Sequence, residues 1–487
     1  AWALSFSQAD ALEALKRLPI GKGTLQVESL AEPGMKLPDG KVIEGLPSRT
    51  VVKALLQPAE GSNIRVEIWL PEPTRWNGRF VGLGNGGSAG SIHPGGLAAH
   101  CRNGYAVATT DMGTAPNSDS GIGNPEVWKD FGYRATHLMT VLAKEAVRTY
   151  YGKAPEFSYF SGRSTGGQQA LQEAQRYPED YDGIIAGVPA HCRTPLHAYF
   201  LWNEQILAKC PFTESQMKSV TAAGNQFMAD KEVPAAAGKF VSDPRCTPAD
   251  IEAVIAIARK NDPTLTDKHA VALRELFDGP KHAETGERIF NGVPFGASPA
   301  GSHGHLYLFR WVFGAEKNLA DINFGKDIDT YTSTLGPYLN AENPDLTPFE
   351  KRGGKLLVFS GTADEVVPFH ATLDYYDRVI AHFGGEEKVA AFSRFYLIPG
   401  MSHGGGPGMT QLPDMLTVIR DWREKGIAPE AIQVHGTPGG SKSISMPVYP
   451  YPRKTTWDTT AIKYQSEPGP RGGVERIAER FRPAAKE

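Results

Sequence analysis

Two hydrophobic periods alternate along the chain up to about residue 190. Ile64-Arg65-Val66-Glu67-Ile68-Trp69-Leu70 switches between apolar and polar at every step, which predicts a strand with one buried face. Arg79 to Leu83 and Tyr105 to Thr110 are more continuously apolar, as strands covered on both faces are. His137 to Tyr151 then places Leu138, Leu142, Ala146 and Tyr150 at helical spacing. Phe157-Ser158-Tyr159-Phe160 is again of strand length, and Gln168 to Tyr177 reads as a helix that Pro178 brings to an end. This succession predicts a mostly parallel sheet with helices on both faces.

After Ala190 the pattern changes. Helical stretches such as Asp250 to Arg259 and Lys268 to Phe277 are mixed with aromatic clusters and Gly/His/Ser-rich turns up to about Pro348, with no strand–helix repeat. Strand-like runs resume at Lys355-Leu356-Leu357-Val358-Phe359 and return at Phe395-Tyr396-Leu397-Ile398. The expected organisation is therefore an α/β domain in two parts, 1–190 and 349–487, interrupted by an inserted lid domain at 191–348. The segment from Tyr449 to Glu487, rich in Pro, Gly and charge, is expected to wrap irregularly over the surface.

The turn between Phe160 and Gln168 carries the clearest chemistry. Gly162-Arg163-Ser164-Thr165-Gly166 has the G-x-S-x-G form that puts a serine on a sharp strand-to-helix turn, with small neighbours where the backbone crowds. The Thr165 N–H, at the helix start, is placed to stabilise an oxyanion. Such a serine needs a base and an orienting acid, here expected in the order Ser, Asp, His. Asp364 follows the strand ending Ser360-Gly361, and His403 follows the strand ending at Ile398 through Pro399-Gly400-Met401-Ser402. Most of the other histidines lack such a setting: His137 and His269 fall on helical patterns, and His303 and His305 flank a Gly-rich loop. A second oxyanion donor is expected on the loop Gly84-Asn85-Gly86-Gly87-Ser88-Ala89-Gly90 after the Arg79–Leu83 strand, from Gly86 or Gly87. That loop does not read as a phosphate cradle, because no Lys-Ser/Thr follows it.

Composition bounds the remaining classes. A net charge of -3 over 487 residues, with no long basic run, argues against nucleic acid as the main partner. No stretch of about 18 apolar residues exists to span a membrane, and Ala1-Trp2-Ala3-Leu4-Ser5 shows no intact signal peptide. Four cysteines, Cys101, Cys192, Cys210 and Cys246, have no CxxC spacing and are too few for a disulfide scaffold. Cys210 and Cys246 both fall in the expected lid, where a bridge between them stays open. Also in the lid, Tyr307-Leu308-Phe309-Arg310-Trp311-Val312-Phe313 has two readings: lid core, or a wall for a flat acyl group with Phe309, Trp311 and Phe313 as its rings and Arg310 as a polar handle.

The chain resembles the tannase and feruloyl esterase family over most of its length. The resemblance is carried by Trp69-Leu70-Pro71-Glu72 with Trp76-Asn77-Gly78-Arg79-Phe80, by Gly84-Asn85-Gly86-Gly87, and by Gly104-Tyr105-Ala106-Val107 with Thr110-Asp111. Ala174-Gln175-Arg176-Tyr177-Pro178, Asp182-Gly183-Ile184-Ile185-Ala186-Gly187-Val188-Pro189-Ala190, Pro399-Gly400-Met401-Ser402-His403, and Trp422 with Glu424-Lys425-Gly426 extend it. It implies an α/β-hydrolase fold with a large inserted lid, and hydrolysis of small aromatic acid esters (feruloyl, galloyl or terephthaloyl); acyl transfer through a serine needs no redox or nucleotide cofactor. It also favours export to the periplasm or medium, whereas the sparse cysteines fit the cytosol, and the compartment and the oligomeric state stay open.

Two departures from the family stand out. Members usually carry a cysteine before the serine and another after the histidine, joined in a disulfide; here those positions are Arg163 and Gly404. Members also tend to carry an acidic calcium loop in the lid, whereas Asp230-Lys231-Glu232 through Ser242-Asp243-Pro244 keeps few carboxylates and inserts Ala235-Ala236-Ala237. A calcium ion needs six or more oxygens, so no metal is expected. Acyl transfer to an alcohol, peptide hydrolysis, and a catalytically silent binding protein remain as other readings of the same fold.

Overall fold

The computed structural model describes residues 8–483, apart from 38–39, 230, 236–237, 242, 406–407, 438–442 and 470. The chain divides into two compact units, Ala1–Ala186 with Thr347–Lys355, and Gly187–Leu346 with Leu356–Glu487.

The first unit is built on seven neighbouring strands: β1 Gly23–Leu30, β2 Arg49–Leu56, β3 Ile64–Pro71, β4 Arg79–Leu83, β5 Ala106–Thr110, β6 Phe157–Arg163 and β7 Gly183–Gly187. They lie in the order β1-β2-β3-β5-β4-β6-β7. Strand β4 pairs parallel with both β5 and β6, as the apolar runs predict. The pairs β1/β2, β2/β3 and β3/β5 are antiparallel, so the parallel arrangement expected from the α/β alternation does not extend to this edge of the sheet. The connection from Leu56 to Ile64 shows why: a parallel crossover takes a dozen or more residues, and this one is too short to cross over.

Helix α1, Ala135–Tyr151, buries Met139, Leu142, Ala143, Ala146, Val147 and Tyr150, and ends on Gly152 at φ 72°. Helix α2, Thr165–Arg176, is buried at every position from Thr165 to Ala174, although four of those residues are Gln or Glu. A helix so polar and so buried must satisfy its side chains internally. Gln169 does so at the glycine loop described below, whereas neither carboxylate oxygen of Glu173 has a partner.

In the second unit, β8 Lys355–Gly361 and β9 Ser393–Ile398 pair parallel, with Gly361 opposite Ile398. The helix Phe369–Phe383 connects them. The stretch 187–346 is predominantly helical, with Arg193–Lys209, Glu214–Ala229, Pro248–Asn261, Asp267–Asp278, Tyr307–Phe313 and Lys326–Leu339 as its principal helices.

The C-terminal segment is more regular than expected. Arg453–Asp458 pairs antiparallel with Lys463–Pro468, and Trp457 meets Tyr464 edge to face at 4.7 Å. This is the cross-strand aromatic contact that stabilises a short hairpin. Farther on, Arg482 is buried and donates to Asp374 at 2.8 Å and Glu479 at 2.7 Å, which ties the tail to the Phe369–Phe383 helix.

Candidate active site

Ser164 stands between β6 and α2 with φ 58° and ψ −117°. Non-glycine residues rarely adopt this backbone, which costs on the order of 1–3 kcal/mol and marks a functional turn. The turn closes because three glycines let backbones touch. A Cβ on Gly162 would lie 2.2 Å from the Gly166 carbonyl oxygen, and one on Gly84 would lie 2.6 Å from the Gly166 Cα. Gly166 N–H donates to the Asn85 carbonyl at 2.6 Å. The glycine loop and the serine turn are thereby fastened to each other, and they leave the sheet together, since Leu83 pairs with Ser161.

Gln169, which sequence reasoning did not single out, and the hydroxyl of Thr165, of which only the backbone N–H was expected to matter, complete this half of the site. Gln169 accepts from the Asn85 N–H at 2.8 Å and donates to Thr136 at 2.8 Å, so it braces the glycine loop from one helical turn below Thr165. Thr165 is buried, and its hydroxyl donates to the Gly87 carbonyl at 2.6 Å. Gly86 and Gly87 are exposed, with nothing within 4 Å of where a Cβ would stand. The sequence signal for Gln169 was a polar residue in a helix packed closely enough to need glycines, but its partners are visible only in the fold. Gln169→Leu is expected to keep the fold and lower turnover by about tenfold or more through a loosened oxyanion loop, since a misplaced donor forfeits part of its stabilisation. Wild-type turnover in that variant would show that Gln169 braces nothing of consequence.

In the second unit, Asp364 and His403 meet. His403 Nδ1 lies 2.9 Å from Asp364 Oδ2 and 3.1 Å from Oδ1. Asp364 is fully buried, and its Oδ1 also accepts from the Val366 and Val367 N–H groups at 3.0 and 2.7 Å. A buried carboxylate held by two backbone donors is fixed in orientation, so the imidazole bonded to it is fixed as well. The two loops are sewn together by Ala363 N–H to the Met401 carbonyl at 3.2 Å and Gly400 N–H to the Thr362 hydroxyl at 2.8 Å. Gly361 must be glycine here, because a Cβ would fall 2.0 Å from the Met401 oxygen. His305, which sequence reasoning set aside, is close enough to His403 to feel its charge: burial first, then the charges of Arg193, His403 and His303, hold its imidazole below the usual range.

A serine elbow, a glycine loop fastened to it and a paired Asp–His are the parts of an α/β-hydrolase, and comparison with known proteins supplies the family. The family model described as tannase and feruloyl esterase matches residues 49–321 and 310–467. The chain belongs to the tannase and feruloyl esterase family. It is 30% identical over 484 residues to an uncharacterized esterase of Xanthomonas campestris, covering 86% of this chain and 84% of that protein. It is 28% identical over 482 residues to the mono(2-hydroxyethyl) terephthalate hydrolase of Piscinibacter sakaiensis, with 81% and 79% covered. The crystal structure of feruloyl esterase B from Aspergillus oryzae superposes with a TM-score of 0.82 at 23% identity, covering 95% of this chain and 100% of that one. The fold is accordingly that of an α/β-hydrolase, and the protein is a carboxylic ester hydrolase.

This member of the tannase and feruloyl esterase family has no disulfide where the resemblance would place one, at Arg163 and Gly404. All four cysteines are free thiols, including Cys210 and Cys246, so the bridge left open for that pair does not form. The Cys246 sulfur lies instead 3.6 Å from both the Met228 sulfur and the Lys231 ammonium. Burial pushes the Cys246 and Cys101 thiols up to about 11, which makes them poor nucleophiles at neutral pH.

The aromatic stretch expected in a lid falls on the helix Tyr307–Phe313. Phe309 is fully buried and stacks on Tyr331 with centroids 4.1 Å apart, and Trp311, also buried, meets Tyr307 edge to face at 5.8 Å. Arg310 and Phe313 are half-buried. Of the expected calcium loop, Asp230, Ala236, Ala237 and Ser242, and the side chains of Glu232 and Ala235, lie outside the described residues. Asp243 is paired with Arg245, whose Nε and Nη2 donate to its two oxygens at 2.7 Å each. Among the described residues, no helix is long and apolar enough to cross a membrane.

Proposed function

We propose that this enzyme hydrolyses esters of aromatic carboxylic acids through an acyl-enzyme on Ser164. The observation that carries the reading is the strained backbone of Ser164, at the tip of a strand–turn–helix whose close backbone contacts only Gly84, Gly162 and Gly166 allow. The aromatic acyl group is inferred from the substrates named for the relatives and from the aromatic lid helix, where Arg310 and Phe313, half-buried, are better placed to meet a ligand than Phe309, which is fully buried against Tyr331.

In the first step the Ser164 hydroxyl attacks the ester carbonyl and its proton passes to His403 Nε2. Asp364 keeps the other imidazole proton on Nδ1 and stabilises the imidazolium. The tetrahedral oxyanion is held by the N–H groups of Thr165 and of Gly86 or Gly87. His403 then protonates the departing alcohol. Water, deprotonated by the same imidazole, releases the aromatic acid and restores Ser164. No redox or nucleotide cofactor enters either half. The direct test is a hydrolysis panel of methyl ferulate, methyl gallate and mono(2-hydroxyethyl) terephthalate. Turnover of at least one well above that of simple alkyl acetates is expected, and a preference for the acetates would contradict the aromatic acyl group.

Calcium is not part of this reading. Asp243 already has both oxygens engaged by Arg245, and the ion needs six or more oxygen ligands. Exhaustive chelation is expected to leave activity and melting temperature unchanged. A fall of several degrees, reversed by added calcium, would show that the lid loop holds the ion after all.

A further inference from the structure

The far end of the nucleophile helix α2 runs into a buried cluster of ionisable groups that the ester chemistry does not use. Glu173, on α2, is fully buried, and neither of its carboxylate oxygens has a hydrogen-bond partner. One oxygen of Glu173, one of Asp180 and one ring nitrogen of His137 all lie within 4.8 Å of one another. The Asp180 Oδ2 is 2.6 Å from His137 Nδ1, and the Tyr177 ring stacks on that imidazole at 3.9 Å. From α1, the Lys144 ammonium donates to the Asp180 backbone carbonyl and sits 5.6 Å over the Tyr181 ring. The Tyr181 hydroxyl meets Thr140 at 2.5 Å. The titratable groups facing Glu173 are thus Asp180, His137, Lys144, Tyr177 and Tyr181.

Two ionised carboxylates this close would repel each other, and Glu173, fully buried, has no hydration to offset the cost. Either a metal cation or a proton can relieve them. Lys144 already contributes one positive charge against the two negative ones, so a single proton balances the cluster whereas a divalent ion leaves it positive. Geometry agrees: ligands of one tetrahedral ion with bonds of about 2.1 Å stand about 3.4 Å apart, and His137 and Asp180 are at the closer distance of a direct hydrogen bond.

We propose that Glu173 carries a proton in the folded enzyme and donates it to Asp180, so that the chain Glu173–Asp180–His137 fastens the helix bearing Ser164 to α1. Glu173 is then a positioning residue, acting on the nucleophile through the helix that carries both. Burial and the neighbouring Asp180 charge both hold its carboxyl well above the ordinary range, and Lys144 offsets them only in part.

The sign of the pH dependence follows. The folded protein keeps a proton that the unfolded chain gives up above about pH 4.3. Folding stability contributed by this group is therefore complete below that pH and lost as pH rises towards the folded pKa, by up to tenfold in the folding equilibrium constant per pH unit. Glu173→Gln copies the protonated group and cannot titrate. Its melting temperature should match wild type near pH 4 and exceed it by a margin that widens at each step up to pH 8, and its inactivation in mild alkali should be slower. Asp180→Asn, which removes the opposing charge, should flatten the same pH dependence and serves if the first variant folds poorly. Parallel curves for wild type and either variant across this range would overturn the proposal. So would a rise in wild-type melting temperature with added Zn²⁺ or Mn²⁺ that Glu173→Gln abolishes, since the cluster would then hold a cation.

Discussion

Ser164→Ala is expected to remove ester hydrolysis, by on the order of 10⁶-fold in turnover, while the protein stays folded. The factor is that of losing a nucleophile whose base and acid remain but have nothing to activate. The fold should survive because the substitution deletes one oxygen and leaves the backbone where it was. Alanine is as strained as serine at φ 58°, so the melting temperature should barely change. Ser164→Gly, equally inactive, should by contrast be more stable, by about 1 kcal/mol or more, because glycine adopts this conformation without a Cβ penalty. Residual turnover of a few per cent in the alanine variant, with contaminants excluded, would remove Ser164 from the mechanism.

Asp364→Asn is expected to lower turnover by about 10⁴-fold without disturbing the geometry. The reason lies in what else Asp364 holds. Its Oδ1 accepts from the Val366 and Val367 N–H groups, and an asparagine must keep its carbonyl oxygen there to avoid leaving two buried donors unpaired. Its NH₂ then faces His403, forcing Nδ1 to accept and Nε2 to carry the proton. An imidazole protonated on Nε2 cannot take the proton of Ser164. Turnover within about tenfold of wild type would mean that another acid orients His403.

Much of this site was legible in the sequence, because its parts are local. A glycine-flanked serine between a strand-length apolar run and a polar helix needs a tight turn, and the structure has that turn at Ser164. Asp364 and His403 each follow a strand-length apolar run, and the pairing of β8 with β9 brings them together. What hydrophobic patterning could not show was strand direction. The alternation in β3 is the same whether its neighbour runs parallel or antiparallel, and only the short Leu56–Ile64 connection carried that information. The C-terminal hairpin was hidden by its charges, since its pairing rests on Trp457 and Tyr464 and not on an apolar face. Gln169 and Glu173 were illegible for another reason: the helical pattern does not say which of its polar residues are buried, and their burial is a property of the packing around α2. Arg163 and Gly404 carry no sulfur, so the absence of a bridge there was legible directly, and all four thiols are free.

The central claim is that Ser164 is a nucleophile activated by His403. It is tested most directly by treating the native enzyme with a fluorophosphonate and mapping the adduct by peptide mass spectrometry. The account predicts one adduct per chain, on Ser164, formed in step with loss of esterase activity, strongly slowed in His403→Ala and absent in Ser164→Ala. Labelling at another residue, or a fully active enzyme that takes up no phosphonate, would contradict it.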